Sequence, residues 1–213
     1  MVSAPNPQFI QPIVLFGNGE IPSHPIELST LRNASTILCA DGGVDKLLSL
    51  EFIPDLILGD FDSLSRKPSD YSYDFIYLPD QSKNDLEKSL EWCCEKNIEK
   101  LSLVGFSGKR DDHNMATLFL LAECSKKMDL ILYTNHSTIL CLNGHREFDS
   151  LAGQKISMIS LLPSTKITSS GLKFPIKNTS LDSTTHGISN IAKGSRFSIN
   201  ANGPIWVFLN HTE

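Results

Sequence analysis

Short apolar runs alternate with longer segments of helical periodicity over the first two thirds of the chain. This alternation predicts a mostly parallel β-sheet with flanking helices, because parallel neighbours need long crossover connections. The predicted strands are residues 13–16, 36–40, 56–59, 75–78, 101–104 and 130–134. The predicted helices are residues 43–50, 85–97 and 112–128. The first part of the chain is therefore expected to be an α/β domain.

The clearest predicted helix begins after Asn84, whose side chain can cap the exposed amides of a first turn. Leu86, Leu90 and Cys93 recur at helical spacing and form an apolar stripe. The opposite face, which includes Lys88, is expected to be exposed to solvent.

The composition changes near residue 144. Residues 1–145 contain 12 basic and 20 acidic residues, whereas residues 146–213 contain 7 basic and 4 acidic residues. The second part is rich in Ser, Thr and Gly, and strands are predicted at residues 155–161, 166–168, 188–191, 195–200 and 205–209. This pattern favours an antiparallel β-sandwich. We place the boundary at the Asn143–Gly144 dipeptide, a strong turn signal, with domains 1–144 and 145–213.

Charge and cysteine content exclude several classes of protein. The chain has 213 residues, a net charge of −5 and a pI near 5.7, which argues against a general nucleic-acid binder. Its apolar runs are far shorter than the roughly 20 residues that span a bilayer. Five cysteines without a CxxC motif, and no signal-peptide pattern in residues 1–11, favour a reducing compartment. We expect a cytoplasmic protein without nucleic-acid or membrane partners.

Two carboxylates, Asp60 and Asp62, directly follow the apolar run 56–59. If the backbone stays extended, both side chains project to the same side. Clustered carboxylates repel unless they share a proton or a cation, and Mg²⁺ takes oxygen ligands together with substrate phosphates. The alternative is a solvated turn in which both residues serve only the loop.

A second acidic segment, residues 80–85, opens the Asp85 helix and is expected at the same sheet edge. Asp85 either completes a metal site or only stabilises the first turn of its helix. A third segment, residues 105–113, lies between a strand and a helix and supplies Lys109 and Arg110 beside glycines. This composition fits a loop that binds a polyphosphate, although the spacing is not that of a Walker A motif. The alternative is an ordinary loop.

Another predicted strand is followed by Asp41, Gly42 and Gly43, where Asp41 could accept a hydrogen bond from a ligand hydroxyl. An ordinary Asp-Gly turn would have the same sequence. His113 has the chemistry for an orienting hydrogen bond. Four polar clusters thus follow four predicted strands. Because carboxyl ends of parallel strands share one edge, the clusters are expected to form one site.

The same residues resemble those of the thiamine pyrophosphokinase (thiamine diphosphokinase) family. The matching motifs are residues 40–43, 54–55, 59–63, Gln81 with 85–88, Gly108 with Arg110, Asp112 and His113, Gly171–Leu172 and Ser189–Asn190. Two positions depart from the usual pattern: Asn84 stands where Thr is common, and Lys109 where a second Gly is frequent.

The resemblance implies an α/β catalytic domain that binds ATP and Mg²⁺, followed by a thiamine-binding β-sandwich domain. It implies transfer of the pyrophosphoryl group of ATP to the thiamine hydroxyl, giving thiamine diphosphate and AMP. It also implies a homodimer with thiamine at the subunit interface. By matching positions, the catalytic metal ligands are Asp60, Asp62 and Asp85; the nucleotide contacts are Asp41, Gly42, Gly43, Lys83, Gly108, Lys109, Arg110, Asp112 and His113; and the thiamine contacts are Gln81, Ser189 and Asn190.

Two other functions stay open at this point. The Asp60-Phe61-Asp62 sequence also resembles the start of phosphatases that form an aspartyl-phosphate, with Asp60 as nucleophile, although Leu64 departs from that motif. A sensing module that binds nucleotide or thiamine without turnover is the second alternative. Turnover of ATP and thiamine distinguishes both from a pyrophosphokinase.

Overall fold

The computed structural model describes residues 9–181, 183 and 185–212. The strands of the first part are β1 (Ile13–Phe16), β2 (Thr36–Ala40), β3 (Leu56–Gly59), β4 (Phe75–Tyr77), β5 (Lys100–Val104) and β6 (Asp129–Tyr133). Its helices are α1 (Pro25–Arg32), α2 (Val44–Ser49), α3 (Asp85–Glu95) and α4 (Asp111–Cys124). The second part contains β7 (Ser137–Asp149), β8 (Lys155–Ser160), β9 (Ile167–Ser170), β10 (Asn190–Ile191) and β11 (Arg196–Asn210).

The six strands of the first part are parallel and lie in the order β6-β5-β1-β2-β3-β4. The predicted parallel sheet is therefore confirmed, and its strands end within one residue of the predicted positions. The chain builds the sheet outward from β1 to β4 and then returns to place β5 on the other side of β1. Connections leave in opposite directions at this switch, which opens a crevice at the carboxyl edge.

Helices cover both faces of the parallel sheet. Successive side chains of β1 point to opposite faces. Leu15 belongs to one core together with Leu90 of α3, whereas Phe16 belongs to another together with Leu31 of α1. Each such fully buried side chain contributes roughly 1.5–3 kcal/mol of transfer free energy. These two cores fix the sheet edge that carries the polar loops.

Helix α3 confirms the predicted cap, since the Asn84 side chain accepts a 2.9 Å hydrogen bond from the Glu87 N–H. The expectation that Lys88 is exposed is wrong, because this side chain is buried among the residues of the site. Helix α1 was not predicted at all. Its buried positions are Glu27 and Leu31, and the carboxylate of Glu27, which is only 2% exposed, interrupts the apolar stripe.

The second part is built on β7 and β11, two long strands that pair antiparallel. The register shifts between Ala201 and Ile205. Before the shift β11 also pairs with β9, and after it β11 pairs with β8. Ile156, Ile199 and Val207 lie in a core of this part's own. The antiparallel character predicted for this part is confirmed.

The predicted turn at Asn143–Gly144 is wrong, because both residues lie inside β7. Gly144 has φ +103° and stands opposite Ala201, next to the register shift in β11. The glycine therefore serves a strand irregularity rather than a reversal of the chain. Since β6 pairs with β7, the antiparallel strands continue the parallel sheet. The division of the chain at residue 144 stays a prediction.

Two further features bear on earlier expectations. All five cysteines are free, and Cys39 and Cys93 are buried. Across the part of the chain that the structure describes, no helix is long and apolar enough to cross a membrane.

Candidate active site

Polar loops meet at the carboxyl edge of the parallel sheet, beside the switch between β1 and β5. The loop after β1 is tied to the loop after β5, because the N–H groups of Gly17 and Glu20 donate to the carbonyls of Val104 and Ser107. A cavity of about 320 Å³ opens there. Its lining includes Asn18, Gly19, Ser63, Asp85, Lys109 and Arg110. A cavity of this volume matches those that bind small organic ligands.

Three carboxylates converge next to this cavity. Asp41, Asp60 and Asp62 each bring a carboxylate oxygen within 4.8 Å of the others. Asp41 follows β2 and is fully buried, and it accepts hydrogen bonds from the N–H groups of Gly42 at 2.6 Å and Phe61 at 2.7 Å. We call these three residues the acid cluster. Hard oxygen donors at this spacing fit a divalent cation such as Mg²⁺.

Burial raises the pKa of Asp41 to about 6, and the negative charges of Asp85 and Asp60 act in the same direction against the two backbone hydrogen bonds. A carboxylate with a raised pKa among other carboxylates is a common feature of functional sites. The acid cluster therefore crowds negative charge around the buried carboxylate of Asp41.

The backbone between the paired carboxylates is not extended, which corrects the geometric reasoning from the sequence. Phe61 has φ +69°, and its ring lies 5.0 Å from the ring of Phe75. Asp60 and Asp62 are brought together by this left-handed residue, whose N–H is held by Asp41. Gly59 is needed for close approach, since a Cβ there would lie 2.6 Å from Cγ of Asp41.

A buried lysine connects the acid cluster to helix α3. Lys88 donates to Asp60 at 2.9 Å and forms an ion pair with Asp85 at 3.0 Å, and its side chain is 4% exposed. Hydrogen bonding from Lys88 lowers the pKa of Asp60 despite the burial of that carboxyl. Burial alone would lower the pKa of Lys88, but its bonds to Asp60 and Asp85 more than offset this, and the pKa is raised.

Two other residues singled out from the sequence reach the same place. Gln81 donates a 2.8 Å hydrogen bond to Asp60. Asp85 is the first residue of α3 and lines the cavity. Asp85 is not a member of the acid cluster and contacts it through Lys88, so its role as a metal ligand stays a prediction.

The basic segment, residues 105–113, also lines the cavity. Arg110 pairs with Asp112 through two hydrogen bonds of 3.1 and 2.6 Å. This pairing lowers the pKa of Asp112 to about 2. Gly108 has φ +75°, and a Cβ there would lie 2.5 Å from Cβ of Glu20. Lys109, Arg110 and His113 line the cavity together with Gly108.

Three predicted site residues lie elsewhere. Lys83 is paired with Glu91 at 2.7 Å and is not among the residues that line the cavity. Ser189 and Asn190 lie at β10, at the opposite edge of the sheet from β4. The Asn190 side chain is hydrogen-bonded to the backbone of Phe174. It donates to the Phe174 carbonyl at 2.7 Å and accepts from the Phe174 N–H at 3.0 Å.

Sequence reasoning included Lys88 in a matching motif without giving it a role, and it missed Lys46. The ammonium of Lys46 donates to the carbonyl oxygens of Asn18 and Gly19 in the loop after β1. The spacing of Asp85 and Lys88, one helical turn apart, could have suggested an ion pair. No comparable pattern joins Lys46 to residues 18–19, which are far from it in sequence.

Comparison with known proteins agrees with this architecture. A family model described as the thiamin pyrophosphokinase catalytic domain matches residues 28–133, and one described as the thiamin pyrophosphokinase substrate-binding domain matches residues 138–208. The chain belongs to the thiamine pyrophosphokinase family. The known activity of this family is pyrophosphoryl transfer from ATP to thiamine, and the resemblance drawn from the motifs is confirmed.

Relatives match over most of the chain. Thiamin pyrophosphokinase 1 from Caenorhabditis elegans is 27% identical over 186 residues, which cover 80% of this chain and 76% of the relative. Thiamine pyrophosphokinase from Bacillus subtilis (strain 168) is 28% identical over 156 residues, which cover 64% of this chain and 70% of the relative.

Solved structures share the fold. A crystal structure of thiamine pyrophosphokinase from Bacillus subtilis has a TM-score of 0.80 at 23% identity and covers 94% of this chain and 99% of its own. Thiamin pyrophosphokinase from Candida albicans has a TM-score of 0.80 at 18% identity, and the match covers 94% of this chain and 89% of the Candida protein. The strand arrangement found here is thus that of the family.

Proposed function

We propose that the acid cluster and the adjoining cavity catalyse transfer of the pyrophosphoryl group of ATP to the hydroxyl of thiamine, giving thiamine diphosphate and AMP. The observation that carries this proposal is the convergence of Asp41, Asp60 and Asp62 within 4.8 Å beside a cavity at the sheet switch. Pyrophosphoryl transfer asks for charge neutralisation and positioning more than for covalent help from the protein. A site with acids on one side and cations on the other supplies both.

The acid cluster would hold Mg²⁺, with Asp85 as a further predicted ligand. When bound, the cation neutralises phosphate charge and holds phosphate oxygens in place. Lys88 keeps Asp60 oriented toward the cluster and ionised. Gln81 donates to the same oxygen, Oδ2 of Asp60, so two donors restrict rotation of this carboxylate.

The basic side of the cavity would bind the nucleotide. Arg110 has five N–H donors, and its contact with Asp112 uses only two of them, so the others remain for phosphate oxygens. Asp112 thereby acts as a positioning residue for Arg110. We include the remaining predicted nucleotide contacts in this site: Asp41, Gly42, Gly43, Gly108, Lys109 and His113. Lys83 fits this role less well, because its ammonium is bonded to Glu91.

In the reaction a new bond forms between the thiamine hydroxyl oxygen and the β-phosphorus. The bond from the β-phosphorus to the oxygen shared with the α-phosphate breaks, and AMP leaves. The hydroxyl proton passes to a carboxylate of the acid cluster, where acceptors lie close together. Cationic side chains across the cavity stabilise charge on the departing AMP.

Thiamine would bind between two copies of the chain. Gln81 follows β4 and Ser189 precedes β10, and eight strands lie between β4 and β10 in the sheet order. At about 4.8 Å per strand spacing, the two residues are tens of ångströms apart along the sheet. Gln81 contacts the acid cluster, whereas the exposed Ser189 does not. A homodimer in which a second copy supplies Ser189 and Asn190 would complete the site.

Mixing two inactive variants tests this arrangement. Asp62→Asn removes a cluster ligand, and Ser189→Gly removes the hydroxyl while allowing φ +60° at that position. In a mixed dimer one of the two sites has both native residues, so the mixture after subunit exchange should recover about a quarter of the parent activity. No recovery, with mixed dimers verified by differential tags, would show that Asp62 and Ser189 act within the same subunit and would contradict a site shared between subunits.

The reaction itself is tested by product analysis with ATP, thiamine and Mg²⁺. AMP and thiamine diphosphate formed in equal amounts are expected. ADP or phosphate alone would favour a different transferase or a phosphatase with Asp60 as nucleophile, and no nucleotide turnover would favour a sensing module. We also propose a cytoplasmic location, which the five free thiols support.

A further inference from the structure

Two ammonium groups meet at one carbonyl oxygen on the nucleotide side of the cavity. Lys46 donates to the Asn18 carbonyl at 2.7 Å, and Lys109 donates to the same oxygen at 3.1 Å. Lys46 also donates to the Gly19 carbonyl. The two side chains come from different elements, α2 and the loop after β5, and meet over the loop after β1. We call them the lysine pair.

The lysine pair lacks a compensating negative charge. Within the described ranges 9–181, 183 and 185–212, neither ammonium group forms an ion pair with a carboxylate. Glu20 lies beside Gly108 but pairs with neither lysine. Burial and the adjacent Lys109 charge lower the pKa of Lys46 to about 8. Two ammonium groups that share one acceptor repel each other, and a bound anion would relieve this repulsion.

The position of the lysine pair relates it to the acid cluster. Lys109, Asn18 and Gly19 line the cavity. Asn18 also packs against Gly42, where a Cβ would lie 2.5 Å from Nδ2 of Asn18. Gly42 in turn donates to Asp41 of the acid cluster. The lysine pair is therefore linked to the acid cluster through Asn18 and Gly42.

The lysine pair has more N–H donors than its contacts with the loop use. An ammonium group has three N–H donors, so the pair has six. Contacts with main-chain oxygens of Asn18 and Gly19 account for three. The Asn18 side-chain oxygen, 3.5 Å from Nζ of Lys109, is at the limit of a fourth. At least two donors remain for an anion, and ammonium groups make strong charge-assisted bonds to phosphate oxygens.

We propose that Lys46 and Lys109 form a two-ammonium subsite that binds phosphate oxygens of the nucleoside triphosphate. This inference rests on the proposed function and extends it to Lys46, a residue that no motif indicated. The subsite recognises the phosphate chain rather than the base or thiamine. Inorganic tripolyphosphate, which carries the phosphate chain without a nucleoside, should therefore bind to it.

The test compares calorimetric binding of tripolyphosphate and adenosine to the full chain and its variants. Lys46→Gln and Lys109→Gln remove the charges, and Lys109→Gly removes the side chain at a residue with φ +62°, where glycine fits without strain. Loss of one charge-assisted contact should weaken tripolyphosphate binding about tenfold. Adenosine affinity should change less than about twofold. The exposed Lys126→Gln is the matched control and should leave both affinities unchanged.

Two results would overturn the inference. One is equal tripolyphosphate affinity in the parent and in both charge-removing variants. The other is an equal loss of tripolyphosphate and adenosine affinity together with a lower melting temperature, because that pattern belongs to a purely structural lysine pair. Turnover of ATP and thiamine by the parent is measured on the same samples. Absence of turnover contradicts the proposed function, whereas the binding comparison decides the lysine pair independently.

Discussion

The ammonium group of Lys88 donates a 2.9 Å hydrogen bond to Asp60 in the interior of the protein, where the two side chains are 4% and 8% exposed. Removing ions from water is costly unless they are paired and hydrogen-bonded. Lys88 is bonded to Asp85 as well, and Asp60 also accepts from Gln81. The network places a fixed positive charge against one member of the acid cluster.

Lys88→Met should destabilise the protein. Breaking a buried pair leaves uncompensated charge, here on Asp60, at a typical cost of about 3–5 kcal/mol. Urea unfolding without metal measures this cost, and Mg²⁺ should raise the melting temperature of the variant more than that of the parent, because the freed carboxylates can accept a cation. Lys100→Met, at an exposed lysine of β5, is the control. Parent-like unfolding of the Lys88 variant would contradict the assigned pairing.

Asp62→Asn should abolish turnover and leave the fold intact. Asp62 is exposed and accepts one hydrogen bond from the Ser63 hydroxyl at 3.0 Å, so the substitution should change the unfolding free energy by less than about 0.5 kcal/mol. Loss of a ligand worth several kcal/mol should lower kcat by at least about 100-fold. Asp70→Asn is a matched control, because Asp70 is also exposed and accepts from the neighbouring Ser69. Near-normal turnover of Asp62→Asn would remove this residue from the metal role.

The strands of the parallel sheet could be predicted because they are buried on both faces and stand out as continuous apolar runs. Strand β3, with four buried residues, is one example. Helix α1 could not be predicted, since buried Glu27 interrupts its apolar positions. Strand β7 could not be predicted, because it contains Asn143–Gly144, a dipeptide that prefers turns. Pairing with β11 overrides this preference in the folded chain.

The same distinction applies to the site. Asp41 and Asp60 could be placed together because each directly follows a parallel strand, and the ends of such strands meet at one edge. The burial of Lys88 could not be predicted, since helical periodicity places charged residues outside by default. The left-handed backbone of Phe61 likewise depends on the contact of its N–H with Asp41, which only the folded chain provides.

Gly59→Ala should disturb the acid cluster although it replaces no charged residue. A Cβ at this position would lie 2.6 Å from Cγ of Asp41, so the buried carboxylate must shift. Overpacking of this kind typically costs about 1–3 kcal/mol. We expect weaker Mg²⁺ binding and lower kcat, measured by calorimetry and steady-state kinetics. Gly194→Ala is the control, because a Cβ there meets nothing within 4 Å. Equal activity of the two variants would show that Asp41 does not need its present position.

Glu27→Gln should change how stability depends on pH. Burial raises the pKa of Glu27 from 4.5 to about 7, against hydrogen bonds from the backbone of Ser23 and His24. Between these two pH values the unfolded chain releases a proton that the folded chain retains, so the free energy of unfolding falls as pH rises through this window.

The Glu27 variant cannot titrate and should lose this slope. Relative to the parent, it should gain on the order of 1 kcal/mol between pH 4 and pH 8, after allowance for solvent screening. Urea unfolding over that pH range measures the gain. Glu123→Gln, at an exposed glutamate of α4, should keep the parent slope. If Glu27→Gln keeps it as well, the folded protein holds Glu27 ionised, and the pH dependence arises from another group.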